Sequence, residues 1–193
     1  MKKNNLLLSL LACFFILAAF SPIKDDVYSV DLERSTIDWS ATKVIGGHVG
    51  TVKIASGVLI YNEKGLKGGN FVMDMANLTS DNERLTTHLK NDDFFSVDKS
   101  PSSKFEITKV SAVGTDRVNI TGNLTIKGIT HPITFPASVK QQKGVIVAVA
   151  SGVKVDRTKY DIKFRSKSFF GDIGDKAIDD VFVLNINLTA KKK

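Results

Sequence analysis

The chain has 193 residues, 42% hydrophobic and 24% charged, with a formal charge of +7. That length supports one domain with a real core. The basic residues are scattered among acids without a stripe of interleaved aromatics, which argues against nucleic-acid binding. Cys13 is the sole cysteine, so a domain without its leader has no disulfide, thiolate metal site or cysteine nucleophile.

In chain order, Lys2 and Lys3 precede an apolar run from Leu6 to Phe20, broken only by Ser9 and ended by Ser21-Pro22. Fifteen residues are short for a membrane span and suit a signal-peptide core. Residues 1–22 are therefore expected to be a signal peptide or an N-terminal anchor, and 23–193 the domain. Leu10-Leu11-Ala12-Cys13 also has the look of a lipoprotein box, which keeps lipid anchoring at Cys13 open. Each alternative sends the domain out of the cytoplasm, to the periplasm or beyond.

Strands are expected next at Val27–Val30 and Thr36–Lys43, the latter with Ile37, Trp39 and Ala41 on one face. Gly46-Gly47 turns into a long strand, Val49–Tyr61, with a bulge or bend at Gly57. Lys64-Gly65 turns again into Leu66–Met75, which places Phe71, Met73 and Met75 on one face. Ser80 to Pro101 holds the one convincing helix. Ser80 and Glu83 have capping-box spacing, and Leu85, His88 and Leu89 share a face. Asn91-Asp92-Asp93 ends the helix, and Phe94-Phe95 follows, as if to brace a barrel end.

Further strands are expected at Lys104–Val113 (Phe105 and Ile107 inward), Arg117–Ile126 (Ile120, Leu124), Ile133–Val139 (Phe135), Val145–Val155 and Val181–Thr189 (Phe182, Leu184, Ile186). Val145–Ala150 is apolar on both parities, which implies cover on both faces. About eight consecutive strands without βαβ alternation predict an all-β fold, an antiparallel barrel or else a sandwich. A barrel of that size fills itself or holds one small ligand. A membrane barrel is not expected, because no aromatic girdles flank the strands.

Little in the chain points to catalysis. His48, His88 and His131 form no local metal pair. There is no G-x-S-x-G elbow and no phosphate loop. His88 is expected to face the core and bond from helix to barrel. Asp92-Asp93 reads as a polar helix exit, with Asp93 serving backbone donors. Asp156-Arg157 reads as an ion pair or brace at the rim. No enzyme, metal or cofactor is expected.

Several spaced motifs resemble one family. His88-Leu89-Lys90, Asp93-Phe94-Phe95, Pro101 and Phe105 resemble the HLK…DFF…P…F signature of the YceI-like, lipocalin-like proteins. Gly122-Asn123-Leu124-Thr125 through Thr130 resembles their G-x-L-T-x-x-G-x-T strand and turn, and Val155–Thr158 and Ile173–Val181 resemble later segments. The resemblance implies an eight-stranded lipocalin-like barrel with a short helix bracing or capping it. Its apolar cavity would bind a long isoprenoid-, quinone- or fatty-acid-like lipid. Trp39, Phe71, Met73, Met75, Phe105, Ile120, Leu124, Phe135, Val147, Phe182, Leu184 and Ile186 are the expected lining. The alternative is a structural or stress-response barrel with a filled core. Membrane-surface contact and oligomeric state, a dimer included, stay open.

Overall fold

The computed structural model describes residues 23–171 and 173–193, so the leader and Cys13 lie outside the described residues. Nine strands and one α-helix follow in order. They are β1 (Asp26–Val30), β2 (Thr36–Lys43), β3 (Gly47–Asn62), β4 (Gly65–Ser80), α1 (Glu83–Lys90), β5 (Ser102–Ala112), β6 (Arg117–Ile126), β7 (Ile129–Gln142), β8 (Val145–Asp156) and β9 (Ile178–Lys192). Every pairing is antiparallel. β2 to β9 close into an eight-stranded barrel in which β3 hydrogen-bonds β4 along nearly its whole length. All of these pairings lie within residues 26–192.

The extra strand, β1, lies in line with β2. Both run between β3 and β9, with β1 on the C-terminal parts of those strands and β2 on their N-terminal parts. Asp31–Ser35 interrupts this shared stave. Ser35 repairs the ladder there. Its hydroxyl donates to the Thr189 carbonyl at 3.3 Å and accepts from the Thr189 amide at 3.1 Å.

The alternation read from the sequence becomes the inside and outside of the barrel. Thr36–Lys43 and Arg117–Ile126 end where expected, whereas β3, β4, β7 and β9 run longer. Lys127-Gly128 and Lys143-Gly144 each have positive φ at both residues, the signature of the primed turns that match strand twist in tight hairpins. The β3–β4, β5–β6 and β7–β8 hairpins lie at the end beside β1, where Tyr28, Leu59, Ile146 and Ala190 are almost wholly buried and stop the barrel. The opposite end carries the longer connections: α1 with its exit, and residues 157–177 between β8 and β9.

Several local expectations change. The helix cap is Asn82, whose side chain accepts from the Leu85 amide at 3.0 Å. Ser80 remains in β4, and its hydroxyl bonds the Asn82 amide and carbonyl, so the Ser80–Glu83 capping box does not form. The bulge in β3 falls at Ala55, between Ile54 and Ser56, and not at Gly57. The outer face of β8 is uncovered, with Val147 46% exposed.

Arg157 is the brace of the long β8–β9 connection. It is buried and donates to the carbonyls of Asp179, Ile162 and Ile178 at 2.8–3.0 Å. Its charge partner is Asp180 at 3.5 Å, not Asp156, which caps the following turn through the Thr158 amide. Nearby, Tyr160 is buried with no hydrogen-bond partner for its hydroxyl among the described residues. Burial pushes its pKa to about 12, and the Asp156 charge adds to the shift.

Two outcomes follow. A Cβ on Gly50 would stand 1.9 Å from the Thr79 carbonyl oxygen, whereas one on Gly68 meets nothing closer than 3.9 Å. Gly50→Ala should cost about 1–3 kcal/mol, or roughly several degrees of Tm, and Gly68→Ala should cost nothing measurable by the same thermal melt. Tyr160 favours its neutral form in the fold, so its stabilisation is complete below the unfolded value near 10 and is lost as pH rises toward 12. Tyr160→Phe should therefore keep neutral-pH stability and lessen the alkaline loss, measured by denaturant melts across that window.

Candidate functional site

The barrel interior is an elongated cavity of about 130 Å³ lined by all eight barrel strands. Eleven of the twelve expected lining residues face it. Trp39 comes from β2; Phe71, Met73 and Met75 from β4; Phe105 from β5; Ile120 and Leu124 from β6. Phe135 comes from β7, and Phe182, Leu184 and Ile186 from β9. Val147 is the exception. Ile146, Ala148 and Ala150 take the inward positions of β8, so strict alternation turns Val147 out. Ile37, Ile107, Ile126 and Ala137 complete more of the wall, and Ser103 is the one polar side chain on it. Phe105, Phe182, Leu184 and Ile186 are only partly buried although they face inward, because they border unfilled space.

Three glycines shape this space. Trp39 pairs with Gly50 on β3, and a Cβ there would meet the indole at 2.7 Å. Phe71 pairs with Gly57, whose Cβ would meet the phenyl ring at 2.7 Å. A Cβ on Gly122 would meet the Phe105 ring at 2.4 Å. Each ring rests on bare backbone of a neighbouring strand instead of projecting across the centre. The rings also join: Phe71 stacks on Phe105 with centroids 6.5 Å apart, and Phe105 reaches Phe135 at 5.6 Å. In the sequence alone Gly57 reads only as a bulge or bend. Its signal is the glycine directly opposite an aromatic residue, which needs the register to be seen.

Trp39 also forms the boundary with a second space. Its Nε1 donates to the Thr79 carbonyl at 3.0 Å, across Gly50, and fixes the indole between the barrel cavity and a vestibule of about 520 Å³. The vestibule lies at the end with long connections, between α1, the β2–β3 turn and the 157–177 connection. Leu85, Leu89, Phe94 and Phe164 give it an apolar floor, and Lys43, Arg165, Asp175 and Lys176 stand on its walls.

The histidines are local fasteners of this rim. His88 does not bond to the barrel. Its Nε2 pairs with Asp93 Oδ2 at 2.9 Å, and its ring meets Phe94 and Phe164 at 5.1 and 5.0 Å. Asp93 therefore serves His88, while Asp92 pairs with Lys99 at 2.7 Å. His48 Nδ1 donates to Asp81 at 3.0 Å if its Nε2 accepts from Lys43 at 3.4 Å, the tautomer that satisfies both. The bond from His48 holds the Asp81 carboxyl below the usual range. His131 packs edge-on against Tyr160 at 5.4 Å. No group of three or more metal-ligating side chains occurs among the described residues. No helix among them is long and apolar enough to cross a membrane.

A family model described as the YceI-like domain matches residues 28–190. A UPF0312 protein of Pseudomonas paraeruginosa is 36% identical over 88 residues, which are 38% of this chain and 46% of that protein. A UPF0312 protein of Pseudomonas putida is 29% identical over 116 residues, 58% of this chain and 60% of that one. The chain thus spans about half the length of the curated relatives it matches. Among solved structures, Burkholderia cenocepacia BcnA superposes with a TM-score of 0.72 at 18% identity, over 84% of this chain and 99% of that one. A polyisoprenoid binding domain from Saccharophagus degradans gives 0.66 at 14%, over 86% and 98%. The Campylobacter jejuni YCEI protein gives 0.56 at 20%, over 100% and 99%. At these identities the structures share the fold.

Trp39 yields a test of the boundary. Trp39→Phe removes one hydrogen bond and should cost about 1 kcal/mol while keeping the partition. Trp39→Ala should merge the two spaces and speed escape of any bound apolar dye, measured by stopped-flow dilution. Equal escape rates for the two variants would show that the indole is no barrier.

Proposed function

The chain belongs to the YceI-like family, and from that premise we propose that it is a lipid carrier that works outside the cytoplasm. The ligand proposed is a long apolar chain of isoprenoid, quinone or fatty-acid type. The observation that carries the reading is the unfilled cavity, whose wall is apolar except for Ser103. The Saccharophagus degradans neighbour is a polyisoprenoid binding domain, which points to the same ligand class. The apolar run Leu6–Phe20 supports export. The reading assigns no reaction to the protein.

Affinity on this account comes from removing hydrocarbon from water, roughly 0.8 kcal/mol per buried methylene, against the cost of ordering the chain. Apolar walls discriminate length and stiffness better than chemical detail. The cavity, at about 130 Å³, is close in size to an engineered apolar cavity of roughly 150 Å³ that stays dry and binds benzene. A chain of isoprenoid length therefore requires the wall to yield. Met73 and Met75, unbranched and with several rotatable bonds, are the wall residues best suited to do so.

The test is native mass spectrometry of residues 23–193 purified without detergent. A stoichiometric apolar adduct is expected, and organic extraction identifies it. An unchanged apo mass after incubation with isoprenoid, quinone and fatty-acid mixtures would favour a filled structural barrel instead. Ala148 and Ala150 face the cavity with the smallest side chains on β8. Ala148→Leu with Ala150→Leu should abolish the adduct while keeping the β-sheet circular dichroism signal, because the added methyl groups enter empty space.

A further inference from the structure

The end of the barrel that opens into the vestibule displays apolar side chains on two separate segments. On the β2–β3 turn, Val44 is 47% and Ile45 71% exposed; on the connection before β9, Phe169 is 51% and Phe170 50% exposed. Exposed large apolar groups gathered at one end are unfavourable in water unless something covers them. Their surroundings say what. Lys163 to Phe170 reads KFRSKSFF, with three cations, three phenylalanines and no acid. As sequence alone this region reads only as irregular, and the fold gives the interleaving a place.

The connection is held so that these groups point outward. Ser166 is fully buried, and Ser168 Oγ donates to Asp180 Oδ2 at 2.5 Å. Burial pushes the Asp180 carboxyl up, but the hydrogen bonds from Ser166 and Ser168 and the Arg157 charge outweigh it, so it remains an acceptor. Lys163 pairs with Asp161 at 2.7 Å and lies over the Phe169 ring at 4.9 Å. Arg165, Lys167 and Lys176 are exposed and have no ion-pair partner among the described residues. Asp175 is the acid beside them on the vestibule wall.

We propose that this rim docks the barrel mouth on a bilayer surface that contains anionic lipid, with Ile45, Phe169 and Phe170 entering the headgroup region and Arg165, Lys167 and Lys43 meeting lipid phosphates. Aromatic and aliphatic tips flanked by Lys and Arg are the chemistry of interfacial attachment, and the basic groups are drawn to negative lipid within a Debye length. A bilayer fits better than a nucleic acid, because Val44 and Ile45 offer no stacking face. It fits better than a second copy, because a matching rim would bring like charges together. Docking here places the vestibule, and Trp39 behind it, over the lipids. The purpose of the surface rests on the carrier reading; its geometry does not.

The experiment is flotation of residues 23–193 with vesicles of phosphatidylcholine alone and of phosphatidylcholine with one-third phosphatidylglycerol, at low and raised salt. Binding should be at least about tenfold stronger on the anionic vesicles and should weaken with salt. Phe169→Ser with Phe170→Ser, and separately Arg165→Gln with Lys167→Gln, should each abolish most of it. These side chains are exposed, and an unchanged melt confirms the fold. Three results would overturn the proposal: no flotation of the parent domain, flotation that both double variants retain, or a self-associated species in sedimentation velocity that the Phe variant dissolves in the absence of vesicle binding. Loss of flotation with the lipid adduct intact removes the docking surface alone. Flotation without any adduct removes the carrier reading and leaves the surface.

Discussion

Three aromatic rings laid on three glycines shape the space at the centre of this barrel. An eight-stranded barrel of this kind is at the size where inward side chains either meet at the axis or leave a space. Here Trp39, Phe71 and Phe105 are drawn aside onto Gly50, Gly57 and Gly122. Each ring keeps its apolar contact with the wall, so burial is retained without filling the centre. The stacked run from Phe71 through Phe105 to Phe135 makes that wall continuous across β4 to β7. Bulkier residues at the three glycines would push these rings toward the axis and close the space.

The two ends of the barrel are built differently, and the difference gives the cavity a direction. One end is stopped by Tyr28, Leu59, Ile146 and Ala190. The other ends at Trp39, a vestibule and long connections fixed by polar straps. Arg157 with its three carbonyls, His88 with Asp93, and His48 with Asp81 hold those connections from their edges. None of these groups touches the barrel cavity, so the polar residues fix the mouth of the barrel and the apolar ones line its centre.

Much of the barrel was legible because a period of two is a strong signal where one face is apolar. Thr36–Lys43 and Arg117–Ile126 show this, and eleven inward residues could be placed by parity alone. Val147 could not. On β8 both parities are apolar, so alternation is silent, and only the pairing with β7 and β9 shows that Ile146, Ala148 and Ala150 face in. The helix cap was ambiguous for a related reason. Ser80, Asn82 and Glu83 offer two capping patterns, and extension of β4 through Ser80 selects Asn82. The glycine seats and the vestibule depend on register and on segments far apart in the chain, which local patterns do not carry.

Trp39 is the single tryptophan of the chain and stands on the boundary of the cavity. Its fluorescence, titrated with isoprenoid alcohols of increasing length, therefore tests most directly whether the centre of the barrel takes up a long apolar chain. The account predicts a saturable change in emission at one equivalent, with affinity that rises with chain length until the cavity is full. Emission that stays constant across the whole series, in a domain that melts cooperatively, would contradict it.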